Sequence, residues 1–433
     1  MLVEFRVKNF RSFKDEQVFS MVASNDDILS ENCVTEGKLQ LLKAAGVYGP
    51  NASGKSNLVK ALGLMQKLVL ESANYEPGKK LPVQPFLLDD ESSTKSSSFE
   101  VVFYHGDIRY QYGFTASRDC IHDEWLLAYP KGRSADKAQK WFHRSFNETS
   151  TAWKFSSFLK GERENLKNKT RDNALFLSVA AQWNNKQLTT VYEWFRDKLR
   201  VLTMDDVLRP VTASMLADSQ EDVNVEDDLK TWISNLLKKA DMGIYGVNAK
   251  EIKKEELKFP ENMPSDTKEN ILKNLKQNPI FDVKTLHRNV ATGKDVYFPM
   301  EEESAGTRRF FDLLGPFLET ITHDYTAVID ELETSLHPLL TRELVKFIQD
   351  SGFKNSSPQL IFTTHDTTLL DPELFRRDQI WFTEKDRGAS TQLYSMSDYK
   401  EQKPRKGEAM QKGYLAGRYG AIPILEAFNT QNG

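Results

Sequence analysis

Residues 41–58 read LLKAAGVYGPNASGKSNL, and the fold is decided by how this stretch must be arranged. Its first eight residues form an apolar run interrupted only by Lys43, the length of a strand buried in a sheet. Gly49-Pro50 ends the run. Leu58, Ala61, Leu62, Met65 and Leu68 then recur at spacings of mostly three and four, the stripe of an amphipathic helix. Between strand and helix lies Gly49-Pro50-Asn51-Ala52-Ser53-Gly54-Lys55-Ser56, which matches G-x-x-x-x-G-K-[ST]. Chance would place such a match in a chain of this length on the order of one time in a hundred. A glycine loop that opens a helix turns successive backbone N–H groups and the positive end of the helix dipole onto one anion-sized space. The stretch from Gly49 through Asn51, Ala52, Ser53 and Gly54 to Asn57 is therefore expected to cradle phosphates. Lys55 would put its ammonium between the β- and γ-phosphates, and the Ser56 hydroxyl would face Mg²⁺.

A phosphate loop needs a carboxylate at the end of a buried strand, because the metal must be held and the attacking water oriented. Tyr325-Thr326-Ala327-Val328-Ile329-Asp330-Glu331 supplies two. Asp330 is expected to hold Mg²⁺ through water and Glu331 to poise the hydrolytic water, so ATP and Mg²⁺ are the predicted cofactors. On its own, an apolar strand ending in two acids is commonplace; the loop upstream gives it meaning.

The rest of the chain fits around these two blocks. With 433 residues it exceeds one ordinary domain, and 58 Lys plus Arg against 62 Asp plus Glu leave a net charge of -4. That balance argues against a protein coated in basic charge for nucleic acid. Two cysteines, Cys33 and Cys120, cannot form a four-ligand zinc site and fit a reducing compartment. No targeting segment or membrane span is visible, so the expected location is the cytoplasm. Val3, Phe5, Val7 and Val18, Phe19, Met21 predict two opening strands, and residues 98–104 and 108–114 a hairpin. Residues 134–288 turn charged and helix-friendly, broken by Pro210, Pro260, Pro264 and Pro279, without a sustained heptad. Strand-like runs return at 325–329, 359–363 and 379–382. The expected organisation is an α/β domain in two halves, 1–133 and 289–433, flanking a mainly helical insertion at 134–288.

Three further segments resemble, in order and spacing, the ABC-type ATPase head of the SMC and RecF group. Glu303-Ser304-Ala305-Gly306-Thr307-Arg308, ahead of a helical pattern, is similar to the signature motif. The resemblance implies that Ser304 and Gly306 reach the γ-phosphate held by an opposite subunit. Glu333-Thr334-Ser335-Leu336-His337-Pro338 looks like the D-loop, and Thr363-Thr364-His365-Asp366 like the switch histidine that senses the γ-phosphate. Asn9-Phe10-Arg11-Ser12-Phe13 resembles the group's first strand, whose arginine, here Arg11, points at the nucleotide. For the glutamine that links Mg²⁺ to the insertion, Gln182 is the first choice and Gln84 the rival. The GPNASGKSN, IDELETSLHP and TTHD blocks and the ending Tyr414-Leu415-Ala416-Gly417-Arg418-Tyr419-Gly420-Ala421-Ile422-Pro423 are most similar to a compact AAA-type subgroup that includes ATPases of abortive-infection and other antiphage systems. The signature departs from the better-known heads, with Ala305 for the usual glycine and Thr307 for the usual acid.

The fold this implies is α/β, a P-loop ABC-type ATPase head split by a helical insertion. The implied activity is ATP hydrolysis, expected to be slow, with a homodimer closing around two ATP and possibly a higher homo-oligomer. Only 68 residues follow His365, too few for an added nuclease domain, so the effector is expected to be a separate nuclease or toxin. The alternative is a RecF-like DNA repair or recombination ATPase that binds DNA directly, which predicts a basic stripe that the charge balance does not indicate.

Overall fold

The alternation Val3, Phe5, Val7 buries one face of the first strand and sets the pattern for a large antiparallel sheet. The computed structural model describes residues 1–131, 137–147, 150–203, 208–218, 226–240, 243–253, 256–257, 259, 263–268, 279–350, 357–399 and 410–423. It divides into two compact units. One comprises Met1–Met204, His323–Leu332 and Val345–Gly433; the other comprises Asp205–Thr322 and Glu333–Leu344.

In chain order the first unit holds β1 (Leu2–Lys8), β2 (Gln17–Ser20), β3 (Cys33–Glu36), β4 (Leu39–Leu42), β5 (Ala44–Tyr48), α1 (Lys55–Glu71) and α2 (Asp90–Thr94). There follow β6 (Ser97–His105), β7 (Ile108–Ala116), β8 (Ile121–Pro130), β9 (Gln139–Asn147) and β10 (Ser150–Phe155). Then come α3 (Arg163–Lys169), α4 (Phe176–Gln182), α5 (Lys186–Glu193) and β11 (Leu199–Leu202). The second unit contributes β12 (Gly246–Glu251), β13 (Phe281–Arg288) and β14 (Asp295–Pro299). The chain returns to the first unit for β15 (Thr326–Ile329), β16 (Gln359–Thr363), β17 (Ile380–Lys385) and β18 (Thr391–Ser395).

Two sheets organise the first unit. One is antiparallel in the order β10-β9-β8-β7-β6-β1-β2. The other runs β11-β15-β16-β5-β17-β18, with the first five strands parallel and β18 antiparallel at the edge. The 17-residue α1 buries Leu58, Val59, Ala61, Leu62, Met65, Leu68 and Val69 in one core shared with both sheets. The parallel register places Ile329 beside Phe362 and Thr363 beside Val47, so β15, β16 and β5 end on the same edge. In open parallel sheets, ligands bind outside these carboxyl ends.

The stretch 134–288, expected to be a mainly helical insertion, carries strands beside its helices: β9, β10, β11, β12 and β13 lie within it. Its first part belongs to the sheet of the first unit, because the free edge of β8 pairs with β9 and β9 with β10. Charge disguised these strands in the sequence. Arg144, which reads as a surface residue, is 1% exposed, and its guanidinium donates to the carbonyls of Ala174 (2.7 Å), Arg171 (3.2 Å) and Asp172 (3.4 Å). Its ionic partner is Glu124 at 3.8 Å, wholly buried, which accepts the N–H groups of Phe176 (2.7 Å) and Leu177 (3.0 Å) and the Tyr112 hydroxyl (3.0 Å). Burial raises the Glu124 carboxyl above the usual carboxylate range, with Arg144 opposing the shift. The pair fastens residues 171–177 to the sheet. Arg144→Ala strands the Glu124 charge in the core, so a loss of about 3–5 kcal/mol is expected. Thermal unfolding should report a fall in Tm on the order of 10 °C, and a Tm unmoved by the substitution would refute a structural role for the pair.

The second unit packs the three-stranded sheet β12-β13-β14 with helices Arg209–Asp218, Glu226–Lys239 and Ala305–Thr322. Pro316 lies inside the last of these and lacks the N–H that would bond the carbonyl of Asp312. The buried Thr212 hydroxyl fills the gap, donating to the Phe311 carbonyl at 2.9 Å and leaning toward that of Asp312 at 3.4 Å. Among the described residues, no helix is long and apolar enough to cross a membrane.

Candidate functional site

The site begins where β5, five buried residues long, runs out at Gly49 and α1 begins at Lys55. Gly54 is the N-cap of α1 at φ 117, a backbone shape that L side chains rarely adopt, and it has no side chain with which to cap the first turn. The N-terminal N–H groups of α1 therefore face the loop's concavity, the arrangement that receives anions. A β-carbon on Gly49 would collide with the carbonyl of Thr383, and one on Gly54 with the side chain of Thr391. Both glycines are thus required by the closeness of β17 and β18, on which the loop is seated. Ser53 shares a hydrogen bond of 2.6 Å with the Thr383 hydroxyl, and the Thr391 hydroxyl donates to the Ser53 carbonyl at 2.7 Å. Lys55 is 5% exposed, and its ammonium donates to the carbonyls of Gly49 (2.8 Å) and Pro50 (3.2 Å), which center it on the loop.

The acidic pair stands at the end of β15. The Thr363 hydroxyl donates to Asp330 Oδ1 at 2.6 Å and accepts the Glu331 N–H at 2.8 Å, so one side chain of the next strand fixes both residues. Asp330 is buried and uses Oδ1 in this bond, which leaves Oδ2 for a cation or its water shell. Glu331 has φ 51, a left-handed backbone shape that is costly for a residue with a β-carbon. Among the described residues no cluster of three His, Cys, Asp or Glu could hold a metal alone, so a cation at Asp330 would draw its other ligands from Ser56, phosphate oxygens and water.

One strand further, Thr364 is fully buried with its N–H on the Val47 carbonyl, and His365 emerges exposed beside it. His365 lines a cleft of about 940 Å³ whose floor is Gly49, Pro50, Asn51 and Ser53 and whose far wall includes Glu384, Tyr414, Ile422 and Pro423. That wall comes from the ending singled out in the sequence. The Tyr414 ring stacks on Phe382 at 5.4 Å, the Ala421 N–H is accepted by Glu384 at 2.9 Å, and the Tyr394 and Tyr399 hydroxyls both donate to the Tyr419 carbonyl at 3.0 Å.

Arg11 is exposed, with its N–H on the Gln84 carbonyl at 2.8 Å. Its neighbor Ser12 accepts from Asn57 (2.7 Å) and shares a 2.8 Å hydrogen bond with the Thr391 hydroxyl, which sets Arg11 beside the first turn of α1. Gln182 requires correction. It ends α4 and donates to Asn74, beyond the C-terminus of α1, on the order of 25 Å from the phosphate loop at 1.5 Å per helical residue. It cannot reach a metal held at Ser56. Gln84, bonded through its backbone to Arg11, is the glutamine on the loop's side.

Ser304 and Gly306 belong to the second unit. Ser304 Oγ accepts the Thr307 N–H at 3.1 Å and shares a 2.9 Å hydrogen bond with the Thr307 hydroxyl, so it caps the helix that begins at Ala305. Gly306 lies under the Ser335 carbonyl, where a β-carbon would clash, which packs the signature-like segment against the D-loop-like one.

A family profile described as AAA domain, putative AbiEii toxin, Type IV TA system matches residues 44–371, more than half of the chain. The chain belongs to this family. It is therefore a member of the AAA-type ATP-binding ATPases, with the α/β P-loop fold just described. Three solved structures are similar at low identity. The SMC head domain from Thermotoga maritima has 10% identity and a TM-score of 0.40, covering 91% of this chain and 98% of that one. The SmcHead bound to the C-winged helix domain of ScpA has 11% identity and a TM-score of 0.42, covering 91% and 97%. The Smc head domain with an extended coiled coil, bound to the C-terminal domain of ScpA derived from Pyrococcus furiosus, has 11% identity and a TM-score of 0.34, covering 91% and 96%. No curated protein matches the chain.

Within this member of the family, sequence reasoning missed Thr363, Thr383, Thr391 and Ser12. Thr363 was legible as part of the TTHD block, but its two-sided bond to Asp330 and Glu331 needs the strand register. Thr383 and Thr391 carried no motif at all, because their role comes from the approach of two backbones.

Proposed function

We propose that the chain binds ATP with Mg²⁺ at residues 49–57 and hydrolyses it, and that two copies close around two ATP molecules. This cycle would make it the cytoplasmic sensor and scaffold that controls a separate nuclease or toxin in a prokaryotic antiphage defence system of the abortive-infection kind. The observation that carries the reading is the single sheet edge at which the phosphate loop, Asp330, Glu331 and His365 meet, tied through Thr363. The description of the family as AbiEii-like supports the defence assignment.

The phosphates lie against the loop N–H groups and the start of α1, and Lys55 shifts one donor from the loop carbonyls to the β- and γ-oxygens. Ser56 and Asp330 would hold Mg²⁺, which when bound would supply positive charge to the phosphate oxygens. Glu331 orients water in line with the γ-phosphorus and takes its proton, while His365 donates to the γ-phosphate from the cleft wall. Arg11 flanks the nucleotide near Asn57. In a closed dimer, Ser304 and Gly306 of the second copy meet the γ-phosphate, so ATP favours closure and hydrolysis reverses it. Ser304 already caps its own helix through Thr307, a bond that the anion must share, and this favours slow turnover. Residues 205–322 form the arm that passes the change to the effector.

Sedimentation of a Glu331→Gln protein tests the dimer. ATP with Mg²⁺ is expected to double its mass, and adding Ser304→Glu, which sets a carboxylate against the γ-phosphate, should restore the monomer while leaving ATP affinity unchanged. A mass that does not respond to ATP refutes the sandwich. Purification from a native host should bring down a second protein; full phage resistance from this gene alone, with no companion, would end the scaffold reading.

A further inference from the structure

At the far end of α1 from the phosphate loop, the first unit has a second built cavity, of about 440 Å³, formed by α3, the end of α4 and the start of α5. Its lining charges run against those of the whole chain, which is net acidic: Lys160, Lys169 and Lys186 face one carboxylate, Glu162. Trp183 stands among them and is 55% exposed, although an indole of this size is normally covered. The chain holds it out. Trp183 follows the last residue of α4, Asn184 takes a left-handed φ of 59, and Asn185 caps α5 by accepting the Leu188 N–H at 3.1 Å while donating to the Lys160 carbonyl at 3.0 Å. The turn that displays the indole is therefore clamped to the loop that carries Lys160. The Lys169 ammonium lies 3.1 Å from the center of the indole ring, so the aromatic face already accepts a cation.

A half-exposed indole in a cavity that three lysines line, one of them already on the ring, matches a ligand that alternates flat π-systems with anions. We infer that this cavity binds single-stranded nucleic acid, with one base stacked on Trp183 and the adjoining phosphates paired with Lys160, Lys169 and Lys186. Stacking on an aromatic side chain tolerates any base, and backbone phosphates draw their binding energy from the lysines. Bases within a duplex are already paired and stacked on one another, so single strands are preferred to duplexes. The site is separate from the ATP loop and does not depend on the hydrolysis mechanism.

Fluorescence anisotropy with labelled 20-nucleotide dT and rU oligomers tests the inference on the full-length protein. Binding is expected to weaken with salt at a log–log slope of about -2, from roughly 0.7 ion per phosphate over three phosphates. Trp183→Ala should weaken it by about ten-fold or more, and the double variant Lys160→Ala/Lys186→Ala should flatten the slope. Competition with dTMP separates the sources of the chemistry: weak competition supports a strand-binding groove, and competition as strong as that of the oligomer would overturn it in favour of a mononucleotide pocket. ATP binding should remain unchanged in all variants, which shows that they fold. No oligomer binding by the wild type, or binding unaffected by Trp183→Ala, overturns the proposal.

Discussion

Glu331→Gln should lower ATP turnover by about 10²–10⁴-fold, the range that a positioned general base contributes. The amide has nearly the same size and can adopt the left-handed turn as readily as glutamate, so the Thr363 hydroxyl still receives the residue's N–H and the loop still binds nucleotide. Only the capacity to take a proton from water is lost. Steady-state release of phosphate should therefore collapse while ATP affinity stays within about two-fold, and the ATP-bound state should accumulate. If wild type and variant hydrolyse ATP equally slowly, Glu331 is not the base and the chain works as a nucleotide-binding scaffold.

Lys55→Ala should remove nucleotide binding itself. Truncating one side of a buried, charge-assisted contact costs about 2–5 kcal/mol, and 1.4 kcal/mol is a factor of ten, so ATP affinity should fall by about 30-fold or more. The ammonium also joins the Gly49 and Pro50 carbonyls, so the loop loses a brace as well as a charge. Calorimetric titration gives the affinity, and circular dichroism shows whether the sheets persist. Undiminished binding in a folded variant would place the nucleotide elsewhere and remove the central claim.

Much of the site could be read from the sequence because its parts are contiguous blocks with local causes. The loop glycines, Lys55 and the acidic pair each follow from a short run of residues and from the strand that precedes them. The two sheets were half legible. The hairpin expected at 98–104 and 108–114 is β6 and β7, whereas β9 and β10 were hidden because Lys140, Arg144 and Lys154 interrupt their apolar alternation. Arg144 makes the reason plain, since its charge is neutralized by Glu124, its cross-strand partner on β8, through a register that the sequence does not display. Gln182 failed for a similar reason. An apolar run ending in glutamine marks where the main chain turns, but the distance to a metal depends on the direction of α1, which periodicity does not encode.

Thr363 has a consequence for how such an enzyme can vary. A single hydroxyl donates to the Asp330 carboxylate and accepts the backbone N–H of Glu331. The two acids therefore cannot be adjusted one at a time, because any shift of this strand that improves one displaces the other. The strand thus yokes the two carboxylates together, so that a substitution at Thr363 would move both at once.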